Sequence, residues 1–315
     1  MQIFDIGIVG GGPAGLSAAL WGARYGRSVV VIDSGDPRNW ESRGINGFLG
    51  MPGVRPAELR GRGREELRSY GVTLIDAMVT RLERETDAAS ASAPDEAQLF
   101  VFETDQGDVV HTRCVLLAIG VLDVWPDIPG LSRVYGANAH VCPDCDGYEA
   151  RDKRVVVIGP GRRAVAMALA LTTWTSQLTI VTNGHDAEMD DEELRQKVTE
   201  NGIVVRTDAV TRIGHVGEVI SCLHLASGES LEIDKLFFTI AQLPADDLGV
   251  QLGCERDRGE HILVGEHFAT SVPGVFAAGD ITPGPQLAVR AAAAGAVAAM
   301  AMHKSLVPDH RMLKG

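Results

Sequence analysis

The sequence predicts an α/β protein built from two Rossmann-like units, the second inserted into the first. Three observations point there. A strand, a glycine-rich loop, a helix and another strand follow one another over residues 3–33, and the same succession returns over residues 154–184. Between them stands a CxxC pair, Cys142-Pro143-Asp144-Cys145. Short apolar runs alternating with helical stretches suit parallel sheets. WPDIPG at 125–130 reads as an outward crossing and LPADDLG at 243–249 as the return. The first unit is therefore expected at 1–122 and 243–315, and the inserted unit at 123–242.

The first motif opens the chain. IFDIGIV at 3–9 is an apolar run that suits a central strand buried on both faces. Gly10-x-Gly12-x-x-Gly15 follows. Gly10 permits the tight turn, Gly12 lets the backbone approach a pyrophosphate, and Gly15 lets the helix pack close to the strand. The helix is expected over 13–25, with Pro13 and Ala14 in its first turn, where proline is tolerated. Its amide-rich N-terminus attracts phosphate. SVVVID at 28–33 is the next strand. It ends in Asp33, followed by Ser34, and an acid there accepts hydrogen bonds from ribose hydroxyls.

Two later strands read as the other side of the same dinucleotide site. CVLLAIG at 114–120 supplies Ala118 and ends at Gly120, where the chain is expected to pass close to something. GVFAAGD at 274–280 ends in Gly279 and Asp280. A helix rich in small residues is expected over 286–303, and only its first turn, Gln286 and Leu287, is placed to reach a ring system beside Asp280. Asn46 and Val79 complete the cofactor-binding candidates.

The middle of the chain repeats the pattern with altered chemistry. RVVVIG at 154–159 leads into Gly159-x-Gly161-x-x-Ala164, a helix is expected over 162–173, and LTIVTNG at 178–184 is the following strand. Alanine in the third position still packs closely. The strand tip reads Thr182-Asn183-Gly184-His185-Asp186, with neither a ribose-binding acid nor an arginine cluster for a 2′-phosphate. Arg162 and Arg163 lie in the loop and serve either a phosphate or solvent. Whether NAD(P)H binds this second site stays open on the sequence.

A CxxC is a zinc half-site or a redox pair. A structural zinc site wants four ligands, and Cys114, Cys222 and Cys254 are isolated and read as small buried hydrophobes. The redox reading fits better. A thiolate, not a thiol, attacks a disulfide, so one sulfur needs its pKa lowered. A helix N-terminus at the pair does this through its amide dipoles, and Pro143 is compatible with a first turn. Asp146 can shuttle a proton to or from the leaving thiolate. Asp144, a carboxylate between the cysteines, disfavours the thiolate. His140 either assists or only packs.

Bulk properties exclude other classes. The chain has 315 residues, 45% hydrophobic and 23% charged, long enough for two compact domains. A net charge of -13 argues against a nucleic-acid partner. No apolar run approaches membrane-spanning length, and the first residues read as a buried strand rather than a signal peptide. Five cysteines are too few and too scattered for a secreted disulfide framework, so a cytoplasmic location is expected. DAASASAPDEA at 87–97 reads as a surface loop, and 186–202 as an amphipathic helix with an acidic leading end.

The succession VGGGPAG, LLAIG, CPDCDG, VVVIGPG and GVFAAGD, in this order, resembles the low-molecular-weight thioredoxin reductases across essentially the whole chain. The resemblance implies a discontinuous FAD-binding domain, an inserted nicotinamide-type domain carrying the CxxC, and a homodimer. It also implies that Cys145 faces the flavin, that Cys142 exchanges with substrate, and that Asp146 handles the proton. Two departures matter. The basic motif after the second unit's strand is absent, and TPGPQLAVR at 282–290 keeps only Gln286 of the usual flavin-contacting arginine–glutamine pair. NGFLGMPGVRPAEL at 46–59 and the CDGYE ending of the redox motif look closer to a divergent branch, which includes the dithiol oxidases of the gliotoxin and holomycin type. Such enzymes discharge electrons to oxygen without NADPH; other relatives take electrons from ferredoxin. The expected activity is that of an FAD-dependent dithiol/disulfide oxidoreductase acting on a small dithiol or disulfide, or on a thioredoxin-like protein, without ordinary NADPH use. An NAD(P)H-dependent reductase and a flavoprotein redox sensor or binding scaffold are the alternatives.

Overall fold

The computed structural model describes residues 2–38, 40, 42–85 and 99–312. The segment at 87–97 expected as a surface loop lies outside the described residues. The chain divides into two compact units: Met1–Trp40, Phe48–Leu122 and Gln242–Gly315 form one, Glu41–Gly47 and Asp123–Ala241 the other.

The first unit begins with β1 (Ile3–Val9), α1 (Pro13–Arg24) and β2 (Val29–Ile32). β2 is four β-branched residues, all buried, as a strand covered on both faces requires. α2 (Pro56–Ser69), β3 (Thr73–Ile75), β4 (Val79–Glu85), β5 (Leu99–Thr104) and β6 (Val109–Leu117) follow. β1 pairs in parallel with β2 on one side and β6 on the other, and β3 extends the sheet beyond β2. The first half of β6 pairs antiparallel with β5, so β4 and β5 form an antiparallel excursion.

The chain leaves this unit in β7 (Val121–Val124). The second unit holds α3 (Leu131–Val134), β8 (Ala139–His140) and α4 (Pro143–Asp146), a single turn. Then come β9 (Val155–Ile158), α5 (Gly161–Leu171), β10 (Leu178–Val181), α6 (Glu192–Glu200) and β11 (Val204–Arg206). The helix expected over 186–202 is shorter. Asp191 caps it by accepting from the Glu193 amide, and residues 186–189 make a separate 3₁₀ turn. An antiparallel sheet of β12 (Val210–Val216), β13 (Val219–Leu225) and β14 (Ser230–Glu232) precedes β15 (Lys235–Phe238). The parallel sheet runs β11-β10-β9-β15-β8.

The chain returns through β16 (Ala241–Pro244) to α7 (Leu248–Gln251), β17 (Val275–Ala277) and α8 (Ala288–Ser305). β17 pairs in parallel with the second half of β6. Ala291, Ala294, Gly295 and Ala298 line the buried face of α8. A Cβ on Gly295 would collide with the Ala14 carbonyl, so the small residues let α8 lie against the start of α1. α8 begins two residues later than expected, which leaves Gln286 and Leu287 in the approach to the helix, with Leu287 as its N-cap.

Candidate active site

In the first unit the glycine loop links β1 to α1. Gly10 has φ +101, and a Cβ there would strike the Ala118 carbonyl. A Cβ on Gly15 would strike the Gly10 carbonyl, which is the close helix–strand approach. Gly12 differs: nothing lies within 4 Å of where its Cβ would stand. It is also the N-cap of α1, with no side-chain cap, so the first amides of the helix open onto free space. Pro13 opens the helix, and Ala14 is buried.

Asp33, 8% exposed, directly follows β2 and brings its carboxylate beside Gly11. Oδ1 accepts from the Gly35 amide at 3.3 Å. Oδ2 accepts from Arg60 Nε at 3.1 Å, and Arg64 Nη1 stands 3.5 Å away. The sequence reading missed both arginines. Their i, i+4 spacing on α2 was the available signal, since it puts them on one face. Ser34 is exposed. At the end of β17, Gly279 has φ +89 and packs against Ala14. Asp280 Oδ2 accepts from Arg38 Nη1 at 3.0 Å, and Arg38 also reaches Gln286 Oε1 at 2.8 Å. Gln286 and Gln242 bond reciprocally at 2.7 and 2.9 Å. Arg38 was not foreseen either.

Three further cofactor candidates have these surroundings. Val79 starts β4 and is buried in the apolar cluster with Leu82, Phe100 and Phe102. Gly120 has φ +70 with nothing within 4 Å, so its backbone conformation, and no close approach by the chain, explains the glycine. Asn46 stands in the second unit, where its Nδ2 donates to the Cys145 carbonyl at 3.3 Å and to Asp146 Oδ1 at 3.4 Å. The remaining groups fit FAD: an open, amide-rich glycine loop for the pyrophosphate, and Asp33 and Asp280 at two strand ends for hydroxyls.

In the second unit Cys142 and Cys145 are joined as a disulfide, with Cα atoms 5.3 Å apart. α4 is one turn long, so the amide dipoles of a full helix are not available here. One local donor takes their place: the Cys145 amide points at Cys142 Sγ at 3.2 Å. Gly147 ends the turn, and a Cβ there would enter the Trp174 ring. Asp144 is exposed. His140, 7% exposed, places Nδ1 3.4 Å from Asp146 Oδ1. His140, Cys142, Cys145, Asp146 and Asn46 are thus one constellation. Of the other cysteines Cys114 and Cys254 are buried, and burial pushes both thiols up. Cys222, expected buried, is half-buried and lies 3.4 Å from His224 Nε2.

The second glycine loop is crowded. A Cβ on Gly159 would strike Thr239, and one on Gly161 would stand 3.1 Å from Glu188 Oε2. Ala164 is fully buried. Arg162, on the first turn of α5, donates to Glu193 at 2.8 Å and Asp191 at 3.1 Å, and these contacts push its guanidinium pKa up. Arg163 donates to the Ile240 carbonyl at 3.2 Å. At the strand tip Thr182 is fully buried, and Asn183 turns inward to accept from the Val210 amide at 2.8 Å.

The family model for pyridine nucleotide-disulphide oxidoreductases matches residues 4–295. A probable thioredoxin reductase of Arthroderma benhamiae is 28% identical, over 96% of this chain and 80% of that protein. Thioredoxin reductase tcpT of Claviceps purpurea is 31% identical, over 89% of this chain and 87% of that protein. The chain spans 54% of a longer relative, the NADH dehydrogenase of Bacillus subtilis, at 27% identity over 89% of this chain. Among solved structures, HlmI superposes with a TM-score of 0.89 at 33% identity, covering 96% of this chain and 92% of that one. Glycine frames, paired cysteines and these likenesses agree: the chain belongs to the pyridine nucleotide-disulphide oxidoreductase family, within its thioredoxin reductase-like branch, and is a flavin-dependent disulfide oxidoreductase.

Proposed function

We propose that this chain oxidises a dithiol through the Cys142–Cys145 pair and FAD, with oxygen as the final acceptor and without ordinary use of NADPH. The observation that carries the last point is Glu188, whose carboxylate faces Gly161 in the second glycine loop. A dinucleotide's pyrophosphate would meet a like charge there, with Arg162 already committed to Asp191 and Glu193. These residues do not fit NAD(P)H. The resemblance of NGFLGMPGVRPAEL at 46–59 and of the CDGYE ending to the dithiol oxidases of the gliotoxin and holomycin type supports the same reading.

The chemistry on the protein side is thiol–disulfide exchange. One substrate thiolate attacks Cys142 Sγ, a mixed disulfide forms, and Cys145 leaves as a thiolate. The second substrate thiolate then attacks its own bound sulfur, which closes the substrate disulfide and releases Cys142. Two electrons enter the cysteine pair, and Asp146 carries a proton to or from the sulfurs. FAD, when bound, supplies the two-electron acceptor for the reduced pair. A small dithiol is the proposed substrate, with a thioredoxin-like protein or an electron partner such as ferredoxin as the competing choices. Homodimer formation and a cytoplasmic location belong to the same proposal.

Anaerobic flavin absorbance tests this. A dithiol should bleach the flavin, and air should restore it with uptake of oxygen. Rapid bleaching by NADPH would overturn the reading in favour of an NAD(P)H-dependent reductase. Bleaching by neither reagent would point to a sensor or scaffold.

A further inference from the structure

β8 and β15 run in parallel with Phe237 opposite His140. Alternation along β15 puts Lys235 and Phe237 on one face, and His140 meets both. Its ring lies 5.5 Å from the Phe237 ring, and its Nε2 lies 3.3 Å from Lys235 Nζ. Lys235, half-buried, also donates to the Ala137 carbonyl at 3.1 Å. On the far side of the imidazole, Nδ1 faces Asp146 Oδ1 at 3.4 Å. Three titratable groups thus stand in a row, Lys235, His140 and Asp146, ending at the residue after the second cysteine.

An ammonium has three donors and no lone pair. The ring nitrogen facing it must present its own lone pair, so the single proton of a neutral ring sits on Nδ1, toward Asp146. We propose that Lys235 is a positioning residue for thiol–disulfide exchange: through His140 it fixes a ring proton toward Asp146 and so sets the donor beside the carboxylate that exchanges protons with the cysteines. The inference rests on the reading of Cys142–Cys145 as the working redox pair. The surroundings of the ammonium are mixed: burial pushes its pKa down, Asp146 and Glu149 pull it up, and Lys153 pushes it down. Asn46 Nδ2 reaches the same Asp146 oxygen from the other side, which leaves that carboxylate between two donors.

The test uses the flavin-loaded full chain, reduced with dithiothreitol and alkylated with iodoacetamide between pH 5 and 9, with Cys142 and Cys145 resolved by mass spectrometry. In Lys235→Met the Nε2 lone pair is free to take a proton. A pH dependence that the wild type lacks should enter the alkylation profile, with rates at the acid end of the range changed about threefold. Lys235→Arg, another donor without a lone pair, should keep the wild-type profile. A Met variant with the wild-type profile, or an Arg variant altered as much as Met, would overturn the proposal. Should the Met variant fail to fold, ¹⁵N shifts of the wild-type imidazole, assigned with His140→Asn, decide the matter. A proton on Nδ1 is expected, and one on Nε2 is incompatible with the proposal. A wild-type pair that dithiothreitol never opens would sink the functional reading itself, whereas an opened pair with unchanged profiles would sink only the role of Lys235.

Discussion

The two glycine loops share a spacing and differ in what stands before them. Gly12 opens onto free space at the start of α1, with the Asp33 carboxylate at the neighbouring strand tip. Gly161 faces Glu188, and the corresponding tip is the buried Thr182. Buried strand ends lead into both loops, IGIV in β1 and VVVI in β9. The backbone frame is held by strand–helix packing, whichever ligand the loop meets. Ligand choice belongs to side chains brought in by other segments, and the 3₁₀ turn at Asp186–Met189 puts the Glu188 carboxylate before Gly161.

The comparison can be broken at its functional end first. Cys145→Ser should lower dithiol-driven flavin bleaching about a thousandfold or more, because no other sulfur replaces a member of the pair. Stopped-flow absorbance measures this, and residual turnover near wild type would remove the pair from the reaction. The next effect concerns the open loop. Gly12→Ala meets no protein atom and has an ordinary φ of -79, so the fold should be unaffected. Intrusion on a pyrophosphate at about 1–3 kcal/mol should lower FAD affinity about tenfold or more. Flavin content after dialysis reports it, and full retention would show that the loop is not the phosphate site.

The crowded loop gives a smaller, opposite effect. Glu188→Gln removes one like charge, and NADPH-driven bleaching should rise about threefold to tenfold, in line with roughly 1 kcal/mol for a screened charge contact. No change would mean that Thr182 and Thr239, rather than charge, decide the matter.

Carboxylates in the two units also carry opposite pH signatures. Burial raises Asp246 in the first unit to about 6. Its folded pKa exceeds its unfolded value, so stability falls as pH rises from about 4 to about 6, and the loss is complete above that. Asp246→Asn keeps an acceptor for the Leu248 amide and should add about 1–2 kcal/mol at pH 7. In the second unit Arg154 holds half-buried Asp234 down at about 2. That contribution is present above pH 4 and lost as pH falls toward 2, and Asp234→Asn should cost only a few tenths of a kcal/mol. Urea titrations between pH 3 and 8 separate the two.

Much of this was legible in the residues. The glycine spacings, the Val-rich strands and the CxxC are local, and each constrains its own backbone whatever packs on it. The start of α8 falls two residues after Gln286 because the chain is still extended at Leu287 with ψ 136, which composition alone does not report. The helix at the redox pair was overestimated because Pro143 signals where a helix starts and says nothing of its length. Cys222 is flanked by apolar residues on its strand, but alternation on β13 sends it to the half-covered face beside His224.

The sequence by itself determined the two nucleotide frames, the insertion of one unit into the other and the position of the redox pair, since these follow from short-range spacing and period. Only the tertiary structure decided which groups meet them: Arg60 and Arg64 on Asp33, Arg38 on Asp280, Asn46 at the cysteines, Lys235 behind His140, and Glu188 before Gly161. These partners come from distant segments, and electrostatic contacts act through space, so nothing in the local pattern of either partner reports the other.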